Sequence, residues 1–345
     1  MLSLPRFFAM LCVASVSAVL AKADSPKPPN IVLFFVDDLG WFDLGYRNAD
    51  FESPHIDALA AESVDFEQAY IATPACSPSR ATLLTGKHPV RLRMVRHIPK
   101  NPENGFDKFA RTNQEFNLWE TDPAQFPSRN WVPLEEVTYA EALADLGYYN
   151  LFVGKWHLGH EPYHPVKQGF HEQIGTTNAG HPKSYTPDFF ANSDVLGDIT
   201  DGYLTDVLTD RTVEFIEGYD REEPFMISMW YYSVHTPHQG RADYVQHFEE
   251  RGFTGRRAHY LAMVKSMDDS VGRVRAALAE QNLADDTVII FLSDQGSWFV
   301  ESPLRGGKRI DTLAEGGARV PFLINWPGVT EPGVKQRSIV QSTDL

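Results

Sequence analysis

The sequence has little cysteine: only Cys12 and Cys76 occur in 345 residues. Cys12 lies in an N-terminal segment with the features of an export signal, so a mature chain would keep Cys76 without an internal partner. An intramolecular disulfide framework is therefore excluded, although exported proteins commonly form disulfides. Such a lone cysteine is buried and inert, paired between chains, or reactive. The polar, proline-punctuated stretch TPACSPSRATLLTG around Cys76 counts against the inert alternative.

Positive charge is also scarce, with 31 Lys and Arg against 46 Asp and Glu and a formal net charge of −15. Nucleic-acid binding needs a basic footprint, so we predict no nucleic-acid partner. An anionic ligand would need a local basic pocket. The stretch 91–112 is locally basic. It either binds a polyanionic glycan or is an ordinary solvated loop, and the solvated loop is the favoured interpretation. Its cations are Arg91, Arg93, Arg96, Lys100, Lys108 and Arg111.

Long apolar runs are absent beyond the N-terminus, so we expect no stable membrane anchor. Arg6 precedes the apolar run 7–20 and the small-residue pattern 21–23. This order predicts a signal peptide at 1–23 and a secreted or periplasmic protein, with an uncleaved anchor as the alternative. Residues 24–30 are predicted to form a short extended linker, and residues 31–345 a single folded domain.

Strand-like apolar runs alternate with helical segments along the chain. The predicted strands are 30–38, 64–72, 149–157, 224–234 and 286–294. The predicted helices are 53–63 with Ser53 as its cap, 79–86, 138–147 with a capping box of Thr138 and Glu141, 203–218, and about 257–281. This alternation predicts an α/β fold with a large, mainly parallel sheet and helices on both faces.

Polar side chains follow four of the predicted strands. They are Asp37–Asp38, Lys155–His157, His235–His238 and Asp294–Gly296. In open α/β sheets, ligands bind beyond the carboxyl ends of the strands. The sequence therefore predicts one functional site at this edge of the sheet.

Oxygen ligands dominate the first and last of these stretches. Asp37 and Asp38 directly follow an apolar strand, where an unneutralised carboxylate is costly; turn capping is the alternative. Asp294 and Gln295 add a carboxylate and an amide oxygen. This set predicts Ca²⁺ or Mg²⁺, and the lack of a His pair or Cys cluster counts against zinc.

Cationic side chains complete the predicted site. Lys155 and His157 share a face of an extended segment, so Lys155 could hold an anion while His157 or His235 moves protons near neutral pH. Lys308 lies in a Gly-rich loop that lets backbone approach an anion, or it is a solvated lysine. Any lone histidine can instead be structural. Three others are assigned to that class: His160, His164 and His171.

The stretch Cys76–Gly86 resembles the signature of the type I sulfatases, Cys-x-Pro-Ser-Arg followed by Leu-x-Thr-Gly. The stretches PNIVLFFVDDLGWFDLG, GKWHLG, SVHTPH, LSDQG, GGKR and EGGARVP resemble further motifs of that family, in the same order. The resemblance spans essentially the whole mature chain. It implies the alkaline-phosphatase-like α/β fold and the hydrolysis of a sulfate ester.

The same resemblance implies a fate for the lone cysteine. In the family a dedicated enzyme converts the signature cysteine to formylglycine, and the Pro and Arg belong to the sequence that this enzyme recognises. Cys76 is therefore expected to become an aldehyde whose hydrate supplies the nucleophile. The implied partners are this formylglycine-generating enzyme and a sulfated small molecule or polysaccharide.

The resemblance also assigns roles to residues. Its metal positions are Asp37, Asp38, the modified Cys76, Asp294 and Gln295. Arg80 is expected to support the hydrated aldehyde and the metal site, and Lys155 and Lys308 to hold the sulfate. His157 is the expected base for the step that releases sulfate. His235 is expected to contact the sulfate and to protonate the leaving group.

Two features depart from the family pattern. Gln295 stands where Asn or His is more usual, and its side chain reaches one carbon further than Asn. The sequence ends at Leu345, where family members usually continue into a small C-terminal sheet domain, so a truncated C-terminal subdomain is expected. The alternatives are a phosphate or phosphonate ester hydrolase of the same superfamily and a non-catalytic protein that binds sulfated glycans.

Overall fold

The computed structural model describes residues 27–100, 105–118, 126–191, 195–197, 199, 201–299, 303–308 and 314–345. The signal peptide predicted at 1–23 lies outside the described residues. Among the residues that the structure covers, no helix has the length and apolar character needed to cross a membrane.

An eight-stranded sheet lies at the centre of the fold. In chain order the strands are β1 Asn30–Val36, β2 Val64–Phe66, β3 Ala69–Tyr70, β4 Phe116–Asn117, β5 Ser128–Arg129, β6 Tyr149–Gly154, β7 Glu172–Ile174, β8 Phe225–Trp230, β9 Thr287–Ser293, β10 Phe322–Asn325, β11 Lys335–Gln336 and β12 Val340–Gln341. The order in the large sheet is β11-β2-β10-β9-β1-β8-β6-β7. Only β10 runs antiparallel to its neighbours in this sheet, so the predicted mainly parallel sheet is confirmed.

Helices cover both faces of the sheet, as predicted. They are α1 Pro54–Glu62, α2 Cys76–Thr85, α3 Pro89–Leu92, α4 Tyr139–Asp145, α5 Leu204–Glu217, α6 Ala242–Glu250, α7 Gly255–Glu280 and α8 Glu315–Ala318. Val32 and Phe34 of β1 pack with α1, α5, α6 and α7 on one face. Leu33 and Phe35 pack with α2, α3 and α4 on the other. A strand buried on both faces needs a continuous apolar run, which is why β1 reads NIVLFFV.

Two predicted elements have different bounds in the structure. The strand predicted at 64–72 is wrong as a single element: the chain leaves the large sheet after β2, and β3 pairs with β12 in a separate ladder. The helix predicted to begin near Ser79 begins at Cys76, because Ala75 is the last extended residue and Pro78 fits the first turn, where its missing N–H is not needed. The predicted end is confirmed, since Gly86 adopts a left-handed φ of 65° after Thr85.

The capping of two other helices was also predicted. The capping box of α4 is confirmed, with the Glu141 N–H donating to Thr138 Oγ1 at 3.0 Å. Ser53 occupies the cap position of α1, but its hydroxyl donates to Asp57 Oδ1 at 2.8 Å and makes no capping bond. The buried carboxylate of Asp268, on α7, accepts the N–H of Ile56 at 2.7 Å instead. A residue distant in sequence therefore caps α1.

Replacing Asp268 with alanine is expected to lower the free energy of unfolding by about 1–3 kcal/mol, because the N–H groups of His55 and Ile56 lose their acceptor at a buried helix end. Asp268→Asn keeps one acceptor oxygen and should lose less stability. Urea denaturation of both variants measures the difference. Equal stability of wild type and Asp268→Ala would show that the interhelical cap contributes nothing.

Candidate active site

Four neighbouring strands of the sheet deliver the residues singled out in the sequence. In the order β9-β1-β8-β6, these strands run parallel, so their carboxyl ends lie at one edge. The structure places Asp37–Asp38 after β1, Lys155–His157 after β6, His235 after β8 and Asp294–Gln295 after β9. Cys76 and Arg80 on α2 complete the cluster through contacts with residues from these strands. All of these side chains are buried.

Arg80 ties two of the carboxylates together. Its Nε and Nη2 lie 3.1 and 3.0 Å from Asp294 Oδ2, its Nη2 lies 3.6 Å from Asp37 Oδ1, and its Nη1 donates to the Lys155 carbonyl at 2.8 Å. The ammonium of Lys155 bonds to Asp37 Oδ2. Burial raises the pKa of Asp294 to about 7, with the neighbouring Asp37 adding to the effect. Two buried cations, Arg80 and Lys155, therefore lie against this pair of carboxylates.

Asp38 lies on the other side of the cluster. Its N–H donates to Asp294 Oδ1 at 3.1 Å, the Lys308 ammonium lies 2.7 Å from each of its carboxylate oxygens, and the Trp298 indole donates to Oδ2. Burial raises the pKa of Asp38. Its φ of 67° is a left-handed conformation that costs a non-glycine residue energy, so the surrounding contacts must hold it.

Cys76 is the first residue of α2 and is 6% exposed. The Gln295 amide donates to its Sγ at 3.0 Å, and the Lys308 ammonium lies 3.6 Å from the same atom. Burial would raise the pKa of the Cys76 thiol, but Lys155 and Lys308 outweigh it and hold the pKa well below its usual value. Residue 76 therefore occupies a position that stabilises negative charge.

Two histidines flank this position with fixed tautomers. A carbonyl only accepts, so His157 Nε2 must carry the proton that it shares with the Ile98 carbonyl at 2.9 Å. His157 Nδ1 then holds a lone pair, and it has no hydrogen-bond partner among the described residues. Burial lowers the pKa of His157 to about 4. His235 Nδ1 lies 2.9 Å from the Thr236 carbonyl, which leaves Nε2, 3.6 Å from Asp38 Oδ2, as its exchangeable position.

A cavity of about 500 Å³ opens above Cys76. His157, His235 and Lys308 line it, whereas Lys155 lies behind Asp37 and does not. Lys100, predicted only as a cation of the basic stretch 91–112, also lines it. Three further lining residues were not indicated by the sequence: His97, His181 and Trp298. A separate cavity of about 700 Å³, between α7 and residues 325–332, holds none of the predicted site residues.

Two of the missed residues contact predicted ones. The His181 ring stacks on the His235 ring, with centroids 5.7 Å apart and an 8° angle between planes. Lys308 Nζ lies 4.8 Å over the centroid of the Trp298 ring. Trp298 follows Gln295 by three residues, so its position along the chain could have indicated that it lies near the site. Nothing in the sequence around His181 signals its contact with His235.

Glycine-rich loops position Lys308. They were expected to let backbone approach an anion, but in the structure they pack on one another. The Lys308 N–H donates to the Ser297 carbonyl at 2.6 Å, and the Gly316 N–H to the Arg305 carbonyl at 2.8 Å. A Cβ on Gly316 would lie 2.1 Å from the Gly306 oxygen, so only glycine allows this approach.

The three histidines assigned to structural roles lie away from Cys76. His160 and His164 line a different cavity of about 290 Å³. His171 stacks on Tyr149 with a centroid distance of 4.7 Å and accepts the Asn150 N–H at 3.0 Å. None of the three lines the 500 Å³ cavity.

The donor atoms of the cluster fit a hard divalent cation. Asp37 Oδ1 and Gln295 Oε1 are buried without a hydrogen-bond partner in the described part of the chain. Ligand atoms of Asp37, Cys76 and Asp294 all lie within 4.8 Å of one another. Buried oxygens without partners are costly, and a Ca²⁺ or Mg²⁺ ion would satisfy them.

Sequence comparisons agree with the motifs. The profile of the family described as Sulfatase matches residues 29–345. Human N-acetylgalactosamine-6-sulfatase is 31% identical over 350 residues, which cover 94% of this chain and 62% of that protein. Human arylsulfatase A is 32% identical over 362 residues, covering 95% and 64% of the two chains. The chain thus spans less than two thirds of the length of these curated relatives.

Solved structures share the fold. The structure described as Ps i-CgsB in complex with k-i-k-neocarrahexaose has a TM-score of 0.76 and 28% identity, and the match covers 92% of this chain and 70% of that one. A phosphonate monoester hydrolase of Agrobacterium radiobacter has a TM-score of 0.59 at 19% identity and shows likeness of fold alone. Together the family profile, the curated relatives and the fold establish that the chain belongs to the sulfatase family, within the alkaline phosphatase superfamily.

Proposed function

We propose that this protein hydrolyses sulfate esters, with residue 76 in its formylglycine form as the source of the nucleophile and a divalent cation beside it. The observation that carries the proposal is the position of Cys76 at the base of a 500 Å³ cavity, in contact with Gln295 and Lys308. The similar proteins named sulfatases support the same reaction.

The charges of the cluster suit an anionic substrate. Three buried aspartates (Asp37, Asp38 and Asp294) balance three cations, of which Arg80 and Lys155 are buried and Lys308 is partly exposed. A divalent ion held by Asp37, Asp38, Asp294 and Gln295 would leave a positive excess, which a sulfate ester and a developing oxyanion can neutralise. Electrostatic stabilisation of this kind is usually the largest contribution to such a reaction.

The hydrated aldehyde would supply one hydroxyl to attack sulfur and a second through which sulfate is expelled. The protein's own side chains bind the sulfate and position the groups around residue 76. Lys308 lines the cavity and its ammonium lies 3.6 Å from Cys76 Sγ, so we assign it the direct contact with the sulfate. Lys155 does not line the cavity and acts through its bond to Asp37, which it holds in position. Arg80 holds both Asp37 and Asp294 in place.

The histidine geometries support different roles in proton transfer. His157 neighbours the Cys76 side chain and keeps an unprotonated Nδ1, which suits the base that deprotonates the second hydroxyl. His235 keeps Nδ1 bonded to a carbonyl, so a proton that it donates must leave from Nε2, which suits the acid for the leaving alcohol. Stacking on His181 fixes the plane of the His235 ring.

Activity assays distinguish this proposal from its alternatives. The protein is expressed with a formylglycine-generating enzyme, the aldehyde at residue 76 is verified by peptide mass spectrometry, and rates on 4-nitrophenyl sulfate and 4-nitrophenyl phosphate are compared. We expect sulfate turnover to exceed phosphate turnover at least roughly tenfold, because the curated relatives named above are sulfatases. Faster phosphate turnover would favour a phosphohydrolase, and aldehyde without any turnover would favour a binding protein.

A further inference from the structure

The cavity above Cys76 adjoins two others. Lys100 and His181 line both this cavity and a recess of about 20 Å³. The recess shares Phe109 and Thr177 with the cavity of about 290 Å³ that contains His160. Shared lining residues make the three spaces neighbours. Together they offer more room than a single small ester occupies.

Lys100 lines both the cavity above Cys76 and the small recess. Its side chain is half-buried, and among the described residues it makes no hydrogen bond or ion pair. Burial lowers the pKa of Lys100, and no carboxylate in the described part of the chain offsets that effect. Partial burial of an unpaired ammonium is unfavourable, and an anionic group on a ligand would relieve it.

Other cations of the basic stretch 91–112 already contact an aromatic ring or a carboxylate. Arg93 lies 4.2 Å over the Phe116 ring, and Arg111 Nε lies 2.6 Å from Asp107 Oδ2. The interpretation of the stretch as a solvated loop therefore does not describe all of it, because Lys100 faces a cavity.

Two more lysines line the small recess. Lys108 extends over the Phe109 ring at 4.8 Å, and Lys183 pairs with Asp188. Since Asp188 balances Lys183, Lys100 and Lys108 place a net positive charge around the recess, in a chain whose net charge is −15. The recess has room for a single small group rather than a sugar ring.

From this geometry we infer that Lys100, with Lys108 and Lys183 around the recess, forms a second anion subsite, and that the substrate is an oligosaccharide with an acidic group besides the sulfate that is cleaved. The inference rests on the proposed sulfatase function for the first subsite. The second group is a sulfate or a uronic acid carboxylate, since both present the oxygen acceptors that an ammonium binds.

The test compares specificity constants of the formylglycine-containing enzyme and Lys100→Ala. The substrates are carrageenan tetrasaccharides with one or two sulfates and chondroitin sulfate tetrasaccharides, which add a uronic carboxylate. We expect wild type to favour a doubly acidic substrate, and Lys100→Ala to reduce that preference about tenfold through KM. The substrate whose preference falls identifies the second group. The preference should also weaken as salt is raised.

Lys167→Ala is the matched control, because Lys167 is exposed and lines none of the three cavities. It removes the same charge and should keep the wild-type preference. Equal loss in both variants would mean that net charge alone matters, and full preference in Lys100→Ala would overturn the subsite.

Calorimetric titration separates this inference from the proposed function. Cys76→Ala is titrated with the same tetrasaccharides, with and without Lys100→Ala. If no preparation hydrolyses a sulfate ester, yet Cys76→Ala binds doubly acidic tetrasaccharides in a Lys100-dependent way, the proposed function fails and the subsite stands. If hydrolysis is normal and neither binding nor KM depends on Lys100, the subsite alone is wrong.

Discussion

Cys76→Ala is expected to abolish sulfate-ester turnover and leave the fold intact. The substitution removes the thiol that the modification oxidises, so no aldehyde can form, and the remaining methyl group can neither attack sulfur nor release sulfate; we therefore expect a loss of at least about 10⁴-fold. The cost in stability should be small, about 1 kcal/mol, because only one buried sulfur and its contacts with Gln295 and Lys308 are lost. Turnover of 4-nitrophenyl sulfate and the thermal unfolding midpoint measure both effects.

The Cys76→Ser variant tests the role of the second hydroxyl. A serine hydroxyl can attack sulfur, but it has no second hydroxyl through which the sulfate can leave. We therefore expect at most one equivalent of released alcohol and a sulfate that stays on residue 76, detected by mass spectrometry of the peptide. Steady turnover by either variant at the wild-type rate would exclude residue 76 as the source of the nucleophile.

The convergence of the site could be predicted because it follows from sheet geometry. Asp37, Lys155, His235 and Asp294 each follow an apolar run, and parallel strands bring such positions to one edge. Each run was recognisable from local sequence alone. The order of strands, β9-β1-β8-β6, was not, because pairing depends on contacts between residues far apart in the chain.

The lining of the cavity could not be predicted for the same reason. Lys100 and His181 lie 81 positions apart, and only the fold brings both to one wall. The basic stretch gave the charge of Lys100 but not the direction of its side chain. For Lys155 the position near the site was predicted from the sequence. Its bond to Asp37, which keeps it out of the cavity lining, depends on side-chain geometry and was not.

The split of the segment 64–72 has a comparable cause. Local sequence favours a single strand, but the two halves of this segment pair with different strands. Asp65 and Phe66 pair with β11, while Ala69 and Tyr70 pair with β12. A hydrophobic pattern indicates which face of a strand is buried, but it does not indicate where the chain passes from one neighbouring strand to another.

Asp294→Ala is expected to remove bound metal and activity together. Asp294 is fully buried, contacts Arg80 and accepts the Asp38 N–H, so its loss both deletes a ligand and releases the groups that hold the others. We expect a loss of activity of at least about 10²–10³-fold. Elemental analysis after dialysis gives the metal content, and readdition of Ca²⁺ to chelator-treated wild type should restore turnover.

Loss of Asp294 also leaves the buried guanidinium of Arg80 with Asp37 as its remaining carboxylate partner, which is expected to cost about 3–5 kcal/mol of stability. Asp294→Asn keeps an acceptor for the Asp38 N–H and tests metal binding if the alanine variant does not fold. Asp65→Asn is the matched control, because Asp65 is a buried carboxylate paired with an arginine, Arg47, outside the cluster. This control should lose stability and keep its metal. Full activity of a metal-free preparation would exclude the cation from the reaction.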